Sequence, residues 1–121
     1  MAVANGTAAV SVLQPMFLKP THDELFLHFK TIAGSIPDTP VLLYNNPGRI
    51  GYTLTTSLVD ELAHQIPNIV GMKDTSGDIT LTEEFIRRTR DVGVPYRPSL
   101  PPPAGAAQDG FVRTMTAAGL L

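Results

Sequence analysis

Cysteine is absent from this 121-residue chain. That excludes a disulfide framework, thiolate chemistry and any cysteine-ligated metal. Basic runs are absent too, and the net charge is -2, so nothing asks for nucleic acid or an anionic membrane surface. No apolar run approaches a membrane-spanning length. The opening Met1-Ala2-Val3-Ala4-Asn5-Gly6 lacks the basic and apolar regions of a signal peptide. The expectation is a soluble cytoplasmic chain. Histidine is scarce: His22, His28 and His64 lack ligand spacing, which argues against a metal site. The glycines between Gly105 and Gly110 are followed by no Lys-Ser/Thr pair, so there is no phosphate loop.

What is present is 43% hydrophobic residues, enough for one modest core and at most one domain. The pattern is a threefold alternation. Ala8 to Leu13 reads as a strand stopped by Pro15, and Thr21-His22-Asp23-Glu24 has the form of a capping box. The helix behind it carries Leu25, Phe29 and Ile32 on one stripe and closes at Gly34 and Pro37. Val41 to Tyr44 is a second strand, with Pro47-Gly48 turning the chain. A helix from Thr55 to Gln65 follows, with Leu58, Leu62 and Ile66 on one face and Pro67 ending it. Ile69 to Lys73 is a third strand, short and apolar enough to be buried on both faces. Thr80 to Glu83 offers another capping box, with Ser76 or Asp78 as alternative caps, and Leu81, Phe85 and Ile86 form the apolar side of the last helix.

Strand and helix alternating at about 30 residues per unit predict βαβ crossovers and a parallel sheet. From Val92 to Ala104 the sequence holds five of the chain's eleven prolines, at a density no helix or interior strand accommodates. The folded boundary is expected near residue 92. Residues 93–121 read as a Pro-rich, disordered or out-of-frame tail, with a short amphipathic helix as an option from Phe111. Such a tail could also dock an aromatic groove.

Two motifs fall at carboxyl ends of strands, the edge where α/β folds place their chemistry. One is Tyr44-Asn45-Asn46-Pro47-Gly48-Arg49; the other is Gly71-Met72-Lys73-Asp74-Thr75-Ser76-Gly77. A lysine ending a buried strand is costly, because burial disfavours its charged form. It suits an amine that must be neutral to attack a carbonyl. Strict alternation would put Ile69, Gly71 and Lys73 on one face. Taken alone, Lys73 reads first as a lysine snorkelling to solvent; Tyr44 one unit earlier shifts that reading. Its phenol can donate and accept a proton, as carbinolamine collapse and enamine formation require. Arg49 offers a planar fork for a carboxylate, or is a solvated loop arginine. Asn45 and Asn46 read as turn-fixing residues. Asp74 to Gly77 reads as a structural helix opening, whose amides could also hold an anion.

These motifs, the 29-residue spacing from Tyr44 to Lys73 and the helix between them resemble the dihydrodipicolinate synthase / N-acetylneuraminate lyase family of pyruvate-dependent class I aldolases. The resemblance covers roughly residues 6–93, and Leu13-Gln14-Pro15-Met16-Phe17-Leu18-Lys19-Pro20 looks like the loop after the family's fourth strand. It implies a partial (β/α)8 barrel over 1–92, carrying family strands four to six. It also implies Lys73 as the Schiff-base lysine for pyruvate, Tyr44 as proton donor and acceptor, and Arg49 as a binder of the aldehyde's carboxylate. No cofactor or metal is implied, and full-length members are homo-oligomeric. A closed barrel of this kind takes ~250 residues. The chain is therefore expected to be a fragment of such an enzyme, truncated or frameshifted, with an inactive remnant as the alternative.

Overall fold

The computed structural model describes residues 6–92 and, beyond them, Arg113, Thr116, Ala117 and Gly119. The expected tail therefore lies almost wholly outside the described residues. Three strands, β1 (Val10–Leu13), β2 (Val41–Asn45) and β3 (Ile69–Asp74), form one parallel sheet in the order β1-β2-β3. Helix α1 (His22–Ser35) joins the first two strands, α2 (Pro47–Ile50) and α3 (Thr56–Gln65) join the next two, and α4 (Ile79–Thr89) follows β3. The alternation read from the sequence is thus the observed architecture. No helix among the described residues is long and apolar enough to cross a membrane.

Caps set the helix starts. Thr21 accepts from the Glu24 amide while the Glu24 carboxylate accepts from the Thr21 amide, closing the capping box that opens α1. Thr55 caps α3 through the Leu58 amide. At α4 the capping residue is Asp78, whose Oδ1 accepts from the Thr80 and Leu81 amides. Of the caps the sequence offered, Asp78 is the one used; the box expected at Thr80 is not formed, because the helix has already begun and Thr80 lies inside it. The far end of α1 is closed from another element. Asn68 Nδ2 lies within hydrogen-bonding distance of the carbonyls of Ala33, Ile36 and Thr39 and shares its two protons among them.

All three long helices pack on one face of the sheet. Val12, Val41, Leu43, Ile69 and Met72 from the strands meet Leu25 and Phe29 of α1, Leu58 and Leu62 of α3, and Phe85 of α4. Phe29, Leu43, Leu58 and Leu62 are fully enclosed, each contributing about 1.5–3 kcal/mol of burial. Among the described residues, no helix covers the other face. The third strand is therefore not buried on both sides as its apolar sequence suggested.

A register shift between Val41 and Leu42 changes which residues share that open face. Val41 pairs with Ile69, but Leu42 pairs with Gly71, so Val70 is passed over. Ile69 and Met72 both enter the core, while Gly71 and Lys73 align with Leu42 and Tyr44. Strict alternation, which grouped Ile69 with Lys73, fails because the irregularity resets the phase of the strand.

Candidate functional site

The carboxyl ends of the three strands carry Leu13, Tyr44 and Lys73 at corresponding register positions. Tyr44 and Lys73 are direct partners on adjacent parallel strands. The Lys73 Nζ stands 4.0 Å from the centroid of the Tyr44 ring, close enough for the π face to attract an ammonium. Both side chains are half-buried, so the lysine is not sealed in the core. Hydrogen bonding from Lys73 holds the Tyr44 phenol below the ordinary tyrosine range; partial burial opposes it, and the Thr75 hydroxyl, the Lys73 charge and the Asn46 amide add to the lowering.

Beneath this pair lies a buried polar network. Asn45, fully buried on the core side of β2, donates from Nδ2 to Asp74 Oδ1 at 2.9 Å. Its Oδ1 accepts from the Leu54 amide at 2.9 Å and from the Thr53 hydroxyl at 3.1 Å. Asp74 also accepts from the Ser76 amide and hydroxyl and from the Thr82 hydroxyl. The anion held by the amides after β3 is thus the protein's own aspartate. Across the same edge, Gln14 Nε2 donates to the Tyr52 carbonyl at 2.7 Å, and the Tyr52 hydroxyl donates to the Pro15 carbonyl at 2.8 Å. These bonds fasten the loops around the strand ends.

Arg49 follows β2 by a few residues. The segment after β2 is one turn of helix, α2, rather than a turn at Pro47-Gly48, and it ends on Gly51 at a φ of 87°, a left-handed conformation that favours glycine. Arg49 sits exposed in that turn, and its guanidinium makes no hydrogen bond or ion pair among the described residues. The structure joins Tyr44 to Lys73, while Arg49 makes no hydrogen bond or ion pair with either.

Three participants escaped the sequence reading. Asn46 donates to the Tyr44 hydroxyl at 2.9 Å. Thr75 faces the same phenol. Asn45 fixes two strand ends rather than only a local turn. The asparagine pair itself was the available signal. Of the histidines, His22 meets Glu61 at 2.8 Å and His64 meets Asp91 at 3.1 Å, both as exposed inter-element ties.

The Dihydrodipicolinate synthetase family matches residues 1–96. The chain is 44% identical over 86 residues to a 4-hydroxy-tetrahydrodipicolinate synthase from Methanoculleus marisnigri, a match covering 71% of this chain and 28% of that one. It is 42% identical over 84 residues to the synthase of the same name from Campylobacter hominis, covering 69% and 28%. A lysine-bound dihydrodipicolinate synthase from Cyanidioschyzon merolae superposes with a TM-score of 0.77 at 27% identity, over 98% of this chain and 37% of that one. A prophage protein of the dihydrodipicolinic acid synthase family from E. coli K12, solved with pyruvate, gives 0.76 at 29% identity, over 80% and 33%. The chain spans a little over a quarter of the length of these curated relatives. Its three βα units are part of a (β/α)8 barrel, and the chain belongs to the dihydrodipicolinate synthetase family.

Proposed function

We propose that this chain carries the Schiff-base centre of a pyruvate-dependent aldolase or lyase of the 4-hydroxy-tetrahydrodipicolinate synthase kind. The observation that carries the reading is the Lys73 Nζ 4.0 Å from the Tyr44 ring, both at the carboxyl edge of adjacent parallel strands. The neutral Lys73 amine attacks the keto carbon of pyruvate, and the carbonyl oxygen takes a proton from the Tyr44 phenol. Water leaves the carbinolamine as that oxygen is protonated again, giving an iminium. Loss of a methyl proton yields an enamine, whose carbon adds to an aldehyde; water then releases the product and frees the lysine. A phenol held below its usual range suits both directions of transfer. Lysine supplies the electron sink, so the chemistry calls for no cofactor or metal. Arg49, free of other partners among the described residues, binds the carboxylate of the aldehyde substrate.

The expected partners are therefore a 2-oxo acid and an aldehyde, with neither nucleic acid nor membrane, in a cytoplasmic setting and, for the full-length enzyme, in a homo-oligomer. Borohydride reduction with pyruvate, followed by peptide mass analysis, tests the centre. Modification should fall on Lys73 and vanish in Lys73→Ala. Labelling of Lys19 or Lys30 with Lys73 untouched would sink the assignment. A second reading, an inactive portion of such an enzyme, is favoured by the face bearing Tyr44 and Lys73, which no helix or further strand covers among the described residues. Trapping without turnover would identify it.

A further inference from the structure

Asn46 occupies the position before α2, where an asparagine oxygen ordinarily accepts from a backbone amide of the first turn. Here the side chain makes no capping bond. The Asn46 main-chain carbonyl instead accepts from the Arg49 and Ile50 amides, and Nδ2 donates to the Tyr44 hydroxyl at 2.9 Å. An amide nitrogen only donates, so the phenol oxygen must accept from it. The Thr75 hydroxyl directs its proton to the Asn45 carbonyl at 3.2 Å. From β3, Lys73 is the charged group that faces Tyr44 among the described residues; on β1 the register partner is Leu13, which carries no charge.

We propose that Asn46 is a positioning residue for Tyr44: its side-chain amide, unused in capping, holds the phenol oxygen as an acceptor beside Lys73 and orients it for proton transfer. The catalytic meaning rests on the Schiff-base reading above, but the hydrogen bond can be tested without it. Tyrosinate absorbance of the full chain is titrated, and Tyr44→Phe identifies the phase due to Tyr44. In Asn46→Val, which removes the donor at similar volume, that phase should move up by about one pH unit, tenfold in the ionisation constant. The Tyr52 phase should stay in place. In the unsubstituted chain, the Asn46 side-chain amide nitrogen should shift in NMR with the same midpoint as Tyr44. An unchanged Tyr44 phase in a folded Asn46→Val would overturn the proposal. So would an amide resonance that stays flat through the Tyr44 titration, and this second measurement decides alone if Asn46→Val does not fold. Failure of pyruvate trapping with the Tyr44 shift intact would remove the Schiff-base reading and leave the hydrogen-bonded pair standing.

Discussion

Asn45 and Asp74 end adjacent strands as register partners and are joined side chain to side chain at 2.9 Å, both buried. One position earlier on each strand stand Tyr44 and Lys73, which point to the opposite face. The buried bond therefore fixes the spacing of the pair above it. Any slip of β3 against β2 would break it and leave polar groups unpartnered in the core.

Asn45→Leu should accordingly cost about 1–3 kcal/mol, because it leaves the buried Leu54 amide without its acceptor and takes one of several donors from Asp74. Urea unfolding monitored by circular dichroism measures it. A loss under half a kcal/mol would mean that the network is not holding the strand ends.

The His64–Asp91 tie predicts a small pH dependence. The Asp60 carbonyl, then the Asp91 carboxylate, raise the imidazole above its ordinary range, and His64 in turn lowers Asp91. The raised histidine contributes stability below its unfolded pKa and loses it as pH rises through the folded value. The lowered aspartate contributes above its unfolded pKa and loses it as pH falls. Both act together between about pH 4 and pH 6.5. The unfolding midpoint should be slightly higher at about pH 5.5 than at about pH 8, and the gap should narrow in Asp91→Asn. An equal gap in that variant would assign the dependence elsewhere.

Two phenylalanines should respond in opposite ways. Phe17 is 96% exposed with φ at 69°, a left-handed conformation that costs a residue with a Cβ about 1–2 kcal/mol. Phe17→Gly relieves that strain, which offsets the added freedom of glycine in the unfolded chain, so stability should hold or rise. Phe29 is 1% exposed, and Phe29→Ala should cost about 3–5 kcal/mol. Thermal melts of the two variants give the comparison; a Phe17→Gly that melts well below the parent would show that the loop conformation is not strained.

The isolated chain should self-associate and turn over slowly. The helices bury Leu43 and Ile69, but Leu42 and Val70 are only half-buried. Among the described residues, β1 and β3 are unpaired on their outer sides, a template for further strands. Size-exclusion chromatography should show species larger than a monomer. Turnover should fall well below ~1 per second, the low end typical of enzymes, since Lys73 and Tyr44 lack an enclosing wall among the described residues. A compact monomer with enzyme-like turnover would overturn this expectation.

Much of the fold was legible because its signals are local. Thr21 and Glu24 announce a helix start within four residues, and Leu58 and Leu62 repeat at helical spacing. The strand-end places of Tyr44 and Lys73 were legible for the same reason: each closes a short apolar run bounded by turn residues. Thr80 misled because a Thr-x-x-Glu pattern can also fall inside a helix, and Asp78, the alternative cap, supplies the oxygen that the Thr80 and Leu81 amides meet. The partners of Asn45 and Asn46 stayed hidden, since an asparagine side chain serves turns, caps and buried networks with equal ease.

The sequence by itself determined the order of strands and helices, the parallel sheet and the carboxyl-edge position of Tyr44 and Lys73. Each follows from apolar periodicity, caps and the connection length that parallel pairing demands. Only the tertiary structure decided that phenol and amine face one another. That depends on the shift at Val41 and Leu42, which brings Lys73 beside Tyr44 while Ile69 and Met72 both remain in the core. A period of two cannot encode such a shift, because an extra residue on one strand resets the alternation, and both Ile69 and Met72 are then free to enter the core.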